Sequence, residues 1–140
     1  MIDFETLDKA LNHLELQLAN YQGRMARNEL TELDREAIAE SVIQRFETGY
    51  DSLWKTLKRY LAEELGLAEL PNSPKPLLRI ADRNGLLPSP VEKWLEYADA
   101  RTGTAHDYSG EKAQDVLAIA GEFTRDAIRL YDRMTGNSRA

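Results

Sequence analysis

The chain has 140 residues, 42% hydrophobic and 30% charged, with no cysteine and a formal net charge of -6. That is enough for one domain with a real core, and the lack of thiols excludes disulfides and thiolate metal sites. No apolar run approaches the roughly 20 residues of a bilayer span. The acidic balance argues against a general nucleic-acid coat protein, while leaving room for a local phosphate site or a basic partner.

Met1-Ile2-Asp3-Phe4-Glu5 lacks the basic-then-apolar order of a signal peptide, so a cytoplasmic protein is expected. Helical periodicity then dominates. Phe4, Leu7, Leu11, Leu14, Leu18, Tyr21 and Met25 recur at steps of three and four, the apolar stripe of a first helix of about six turns. Asp3 suits its N-cap and Gly23 its end. A short polar linker leads to a long second helix over 33–65, with a stripe of Ile38, Val42, Phe46, Tyr50, Leu53, Leu57, Leu61 and Leu65. Ile43, Trp54 and Tyr60 widen its apolar face, and Gly49 in its middle implies either a close helix approach or a bend.

Pro71-Asn72-Ser73-Pro74 breaks the pattern. Ser73 reads as an N-cap with Pro74 at the first helical position, opening a short helix that stops at Asn84-Gly85. Ser89-Pro90 repeats the start signal for a fourth helix carrying Val91, Trp94, Leu95 and Ala98. A fifth, over 111–134, has the stripe Ala113, Val116, Ala120, Phe123, Ala127, Leu130 and Met134. With no strand signal or repeat, the expected fold is all-α. It is an up-and-down bundle of about five helices, four long and one short, in a single domain over 1–134 with a loose tail over 135–140. The surplus apolar width of the second helix suits self-association.

Arg101-Thr102-Gly103-Thr104-Ala105-His106-Asp107-Tyr108 carries the chemistry. Continuing the stripe of the fourth helix from Val91, Trp94 and Ala98 leads to Arg101, an inward-tending position. An arginine there needs an anion, a neighbouring carboxylate or a path to solvent. His106 follows by five residues, about 140° around an ideal helix, so the two share a face only if the backbone leaves helical geometry, which Gly103 permits. Histidine moves protons near neutral pH, and arginine holds phosphate oxygens. The pair is a minimal kit for cutting a phosphodiester without metal. Tyr108, just before Ser109-Gly110, has either a ring packed over the bundle end or a hydroxyl open to modification.

The spacing R-x-x-x-x-H-x-Y resembles the signature of HEPN-domain proteins of the HepT type, which are encoded beside a minimal nucleotidyltransferase of the MntA type. Val42-Ile43-Gln44-Arg45-Phe46-Glu47 through Tyr50, then Leu53-Trp54-Lys55-Thr56-Leu57 and Tyr60-Leu61, is similar to the long-helix signature of the nucleotidyltransferase substrate-binding subgroup. Pro74-Lys75, Leu78-Arg79, Ala81, Gly85-Leu86 and Trp94 match in order, and the likeness spans about residues 5–130. It implies a HEPN-like helical bundle that forms a homodimer with the two motif segments facing each other. It also implies a toxin of a toxin–antitoxin pair, a metal-independent ribonuclease without cofactor. His106 would be its acid or base, and Arg101 would stabilise the charge growing on the RNA phosphate. The cognate nucleotidyltransferase, as antitoxin, would transfer AMP to Tyr108 and block RNA. Thr102 stands where many members carry asparagine; as a supporting residue it keeps one hydroxyl donor and lacks the amide's second. The alternative is a non-catalytic substrate-binding subunit of a two-component nucleotidyltransferase.

The other charged groups read more simply. Glu63-Glu64, Asp34-Arg35-Glu36 and Glu111-Lys112 are solvated helix faces, and His13 beside Leu14 is an ordinary surface or satisfied histidine. Neither histidine has glutamate three residues before it, so no carboxylate-bridged metal bundle is expected. Lys55, Lys58 and Arg59 read as a solvated face that could also meet RNA or an acidic partner.

Overall fold

The computed structural model describes residues 2–104 and 110–136. Among them are five α-helices, α1 (Glu5–Gln22), α2 (Glu32–Glu63), α3 (Pro74–Arg83), α4 (Val91–Gly103) and α5 (Gly110–Thr135), and a 3-10 turn at Arg24–Ala26. No strand occurs among the described residues, and none of their helices is long and apolar enough to cross a membrane. The expected tail falls partly outside the described residues.

The helix ends show how local chemistry sets the bundle. Thr31 opens α2 with a reciprocal cap: its Oγ1 accepts from the Asp34 amide at 3.0 Å, and Asp34 Oδ2 accepts from the Thr31 amide at 2.9 Å. At α1 the cap position is Phe4 rather than Asp3, although Asp3 Oδ1 still accepts from the Glu5 amide at 2.8 Å. Ser73 precedes α3 as expected but makes no side-chain cap bond, so Pro74 carries that start. Ser89 is not the cap of α4. Pro90 takes that position with extended backbone and Val91 is the first helical residue; the buried Ser89 Oγ has no hydrogen-bond partner among the described residues. Gly85 ends α3 at φ 67°, in the left-handed region. There the Leu86 amide donates to Ala81 O and the Gly85 amide to Asp82 O, which satisfies the last carbonyls.

α2 touches each of the other α-helices, which explains its wide apolar arc: Val42, Ile43, Phe46, Tyr50, Leu53, Leu57 and Leu61 are all buried. One core cluster joins residues of all five helices. The stripe of α5 is buried from Ala113 to Met134, as its periodicity predicts. Two stripes overrun their helices. Met25 is exposed because α1 ends at Gln22 and the chain changes phase in the 3-10 turn. Leu65 is exposed because α2 ends at Glu63. Gly49 is buried but not at a forced close approach: a Cβ there would meet Leu14 at 3.8 Å and Phe123 at 4.0 Å, ordinary van der Waals distances.

Candidate functional site

α4 is built to turn its last arginine inward. Trp94, Tyr97 and Ala98 are buried along one face, and Arg101 follows one turn beyond Tyr97. Tyr97, fully buried, was not part of the stripe expected from sequence. Arg101 Nε and Nη2 donate to Asp51 Oδ1 and Oδ2, each at 3.1 Å, a two-pronged pairing of guanidinium with carboxylate. Arg101 Nη1 donates to Glu47 Oε2 at 3.1 Å. Thr104 Oγ1 donates to the same Glu47 oxygen at 3.0 Å and is itself fully buried.

Glu47 and Asp51 are four residues apart on α2, so both carboxylates face α4 from one side of that helix. Their burial differs: the side chain of Glu47 is 10% exposed, that of Asp51 39% and that of Arg101 27%. The expected neighbouring carboxylate is thus two carboxylates. Sequence reasoning named neither as a site residue. The available signal was an acidic residue, Glu47, inside the widened apolar arc of α2.

The other named residues fare differently. Gly103 is the last residue of α4, with Thr104 at the cap, so the regular helix ends between Arg101 and the segment that holds His106. A Cβ on Gly103 would press on Lys112 Cδ at 3.2 Å, so the lysine stem of α5 crosses there. Thr102 is exposed and spends its hydroxyl on the Ala98 carbonyl at 3.1 Å. His106 and Tyr108 lie outside the described residues. Lys58 donates to Asn72 Oδ1 at 3.2 Å and Arg59 pairs with Glu63 at 3.1 Å, as solvated face residues do.

Beside Arg101 lies a cavity of about 520 Å³. Its walls include Tyr50, Asp51 and Trp54 of α2, Lys75 and Pro76 of α3, and Thr102. Burial, and then the Asp51 charge, pushes the Tyr50 phenol above its ordinary range, so it stays a neutral hydroxyl. That hydroxyl is buried and has no hydrogen-bond partner among the described residues.

Comparison with known proteins adds to this geometry. The family described as nucleotidyltransferase substrate binding protein like matches residues 2–136. Over 139 residues the chain is 27% identical to a Haemophilus influenzae protein named probable ribonuclease HepT, with 95% of this chain and 92% of that protein covered. A solved Haemophilus influenzae structure, described as revealing the fold of a substrate binding domain of a nucleotidyltransferase, superposes with a TM-score of 0.81 at 27% identity, covering 95% of this chain and 99% of the other. A Thermus thermophilus structure gives a TM-score of 0.65 at 27% identity, over 86% and 98%.

Proposed function

This chain belongs to the nucleotidyltransferase substrate binding protein-like family, of the HepT type, and from that membership we propose that it is a ribonuclease toxin held in check by a cognate minimal nucleotidyltransferase. The observation that carries the proposal is Arg101. Carboxylates fix its guanidinium at the end of α4, directly before the segment holding His106. A rigid arginine placed by a supporting shell suits charge stabilisation at a phosphate.

The reaction needs no metal. The RNA 2′-oxygen attacks the adjacent phosphorus while its proton passes to a base. The bond from phosphorus to the 5′-oxygen breaks, and that oxygen takes a proton from an acid. The products are a 2′,3′-cyclic phosphate and a free 5′-hydroxyl. His106 serves the proton transfers and Arg101 meets the charge on the phosphate oxygens. Thr102 supports Arg101 only through the backbone, since its hydroxyl is committed to Ala98. Two copies would pair with the motif segments near the two-fold axis. The partner would add AMP to Tyr108, placing negative charge and bulk beside Arg101.

Purified protein incubated with single-stranded RNA in chelator tests the chemistry. Cleavage leaving cyclic phosphate ends, lowered by about 100-fold or more in His106→Ala, is the expected result. Arg101→Lys, which keeps a cation beside Glu47, should lose a comparable share. Co-expression with the nucleotidyltransferase should add the mass of one or more AMP units, and Tyr108→Phe should prevent it.

One observation favours the second reading. Two carboxylates offset the charge of Arg101, as in a purely structural cluster. A substrate-binding subunit without chemistry of its own would fit this. It would be harmless when expressed alone and leave RNA intact.

A further inference from the structure

The two tryptophans of this chain sit very differently. Trp94 is fully buried and packs edge-on against Tyr97 at 5.5 Å. Trp54 is only half-buried and forms part of the wall of the cavity beside Arg101. An aromatic face held at the edge of a cavity is the feature on which unpaired bases stack, whatever their sequence. The cavity volume, about 520 Å³, falls within the about 300–1,000 Å³ of small-ligand sites.

Two further observations narrow the occupant. Tyr50, one turn before Trp54 on α2, lines the same cavity and is 3% exposed, and its buried hydroxyl has no partner among the described residues. Buried polar atoms are almost always paired, so an orphan at a cavity wall points to a polar ligand atom. The wall also carries two cations, Arg101 and Lys75; Arg101 is already matched by Glu47 and Asp51, which leaves Lys75 for a ligand's charge. Lys75 pairs with Asp99 across exposed side chains, an association weak enough to be exchanged for a phosphate. A flat apolar face, one buried hydroxyl and a lysine held only by an exposed carboxylate match a nucleotide better than a protein side chain.

We propose that this cavity is a nucleobase subsite. One unpaired base of RNA lies against Trp54 and shares a hydrogen bond with the Tyr50 hydroxyl, and the adjoining phosphate turns towards Lys75. The choice of RNA rests on the ribonuclease reading; the base and its partners rest on the cavity.

A 2′-O-methyl RNA tetranucleotide is the probe, because it offers bases and phosphates but no hydroxyl to attack. Binding should quench tryptophan fluorescence in the intact protein and leave the Trp94 signal of Trp54→Phe unquenched. End-labelled probe should bind Trp54→Ala about tenfold more weakly by anisotropy. Tyr50→Phe should bind about threefold more weakly while its thermal midpoint stays level or rises, a split that a merely structural hydroxyl would not give. In RNA cleavage, Trp54→Ala should raise KM more than it lowers kcat.

Unchanged probe affinity in folded Trp54→Ala overturns the subsite. So does quenching produced by the partner nucleotidyltransferase and not by the probe. Probe binding that depends on Trp54 in a protein that cleaves no RNA upholds the subsite and overturns the nuclease. Cleavage with wild-type KM in Trp54→Ala does the reverse.

Discussion

α4 carries two buried polar clusters one helical turn apart, and they solve the burial problem in opposite ways. Around Tyr97 the solution is closed. Its hydroxyl donates to Asp126, which is 8% exposed, and its ring packs edge-on against Trp94 and Phe123 at 5.5 and 5.3 Å. Around Arg101 the solution is open. A guanidinium bridges Glu47 and Asp51, and its outer side meets a cavity. Asp126 takes this one neutral donor on its inner side and lines a groove with Lys93, Arg125 and Arg129 on its outer side, where cations offset its charge. A cation with two carboxylates at the rim costs more desolvation than one neutral bond, so the pairing itself adds little stability.

The largest effect should separate the two sides of the open cluster. Arg101→Ala removes the guanidinium from a nearly buried Glu47 and leaves the Thr104 hydroxyl donating to it. That variant should lose about 3 kcal/mol in denaturant unfolding, near the lower end for breaking a buried pair because Arg101 is partly exposed. Glu47→Gln on the same background should recover most of the loss, since a neutral amide tolerates the site. Asp51→Asn, at an exposed carboxylate, should cost about 1 kcal/mol or less. Equal losses at Glu47 and Asp51 would erase the asymmetry. Activity lost in Arg101→Ala alone therefore says little, and Arg101→Lys is the better probe of chemistry.

The closed cluster should break more gently and respond to alkali. Tyr97→Phe leaves Asp126 buried without that donor, a cost of about 2 kcal/mol. Burial first, and then the bond to Asp126, raises the Tyr97 phenol above its ordinary value of about 10. The unfolded chain gives up this proton near pH 10 and the folded chain keeps it. The contribution is therefore complete below about pH 10 and declines as pH rises further. Stability followed by urea unfolding at pH 8 and pH 11 should fall in the wild type and fall less in Tyr97→Phe. Tyr50, shifted the same way by burial and by Asp51, keeps the residual slope. A wild-type stability that holds through pH 11 would mean the phenol is not sealed.

Neither cluster was fully legible in sequence. Helix number, the burial of the α5 stripe and the inward turn of Arg101 all follow from spacings of three and four within single helices. Tyr97 escaped because α4 buries a wider face than one stripe. Met25 misled because the spacing outlives the helix: α1 ends at Gln22, and periodicity alone does not register the change of phase. The partners of Arg101 were not legible as partners, since Glu47 and Asp51 stand 54 and 50 residues away on another helix. An acidic residue between Phe46 and Tyr50, on the arc that faces four helices, was the trace they left. His106 and Tyr108 rest on the family spacing, outside the described residues.

The smallest effect asks whether the two clusters are separable. Gly49 lies on α2 between Glu47 and Asp51, but the space at its Cα opens the other way, towards Leu14 and Phe123. Phe123 is one of the rings that enclose Tyr97. A methyl group there meets ordinary van der Waals contacts, and replacing glycine within a helix gains up to about 1 kcal/mol. Gly49→Ala should therefore raise stability by about 0.5–1 kcal/mol, read as a higher urea midpoint with an unchanged slope. RNA cleavage, measured alongside, should be unaltered, because the added carbon tightens the closed side and leaves Glu47, Asp51 and the cavity in place. A stabilised protein with reduced cleavage would show instead that α2 transmits packing from the Tyr97 side to the Arg101 side. The open cluster would then depend on a looseness that Gly49 supplies.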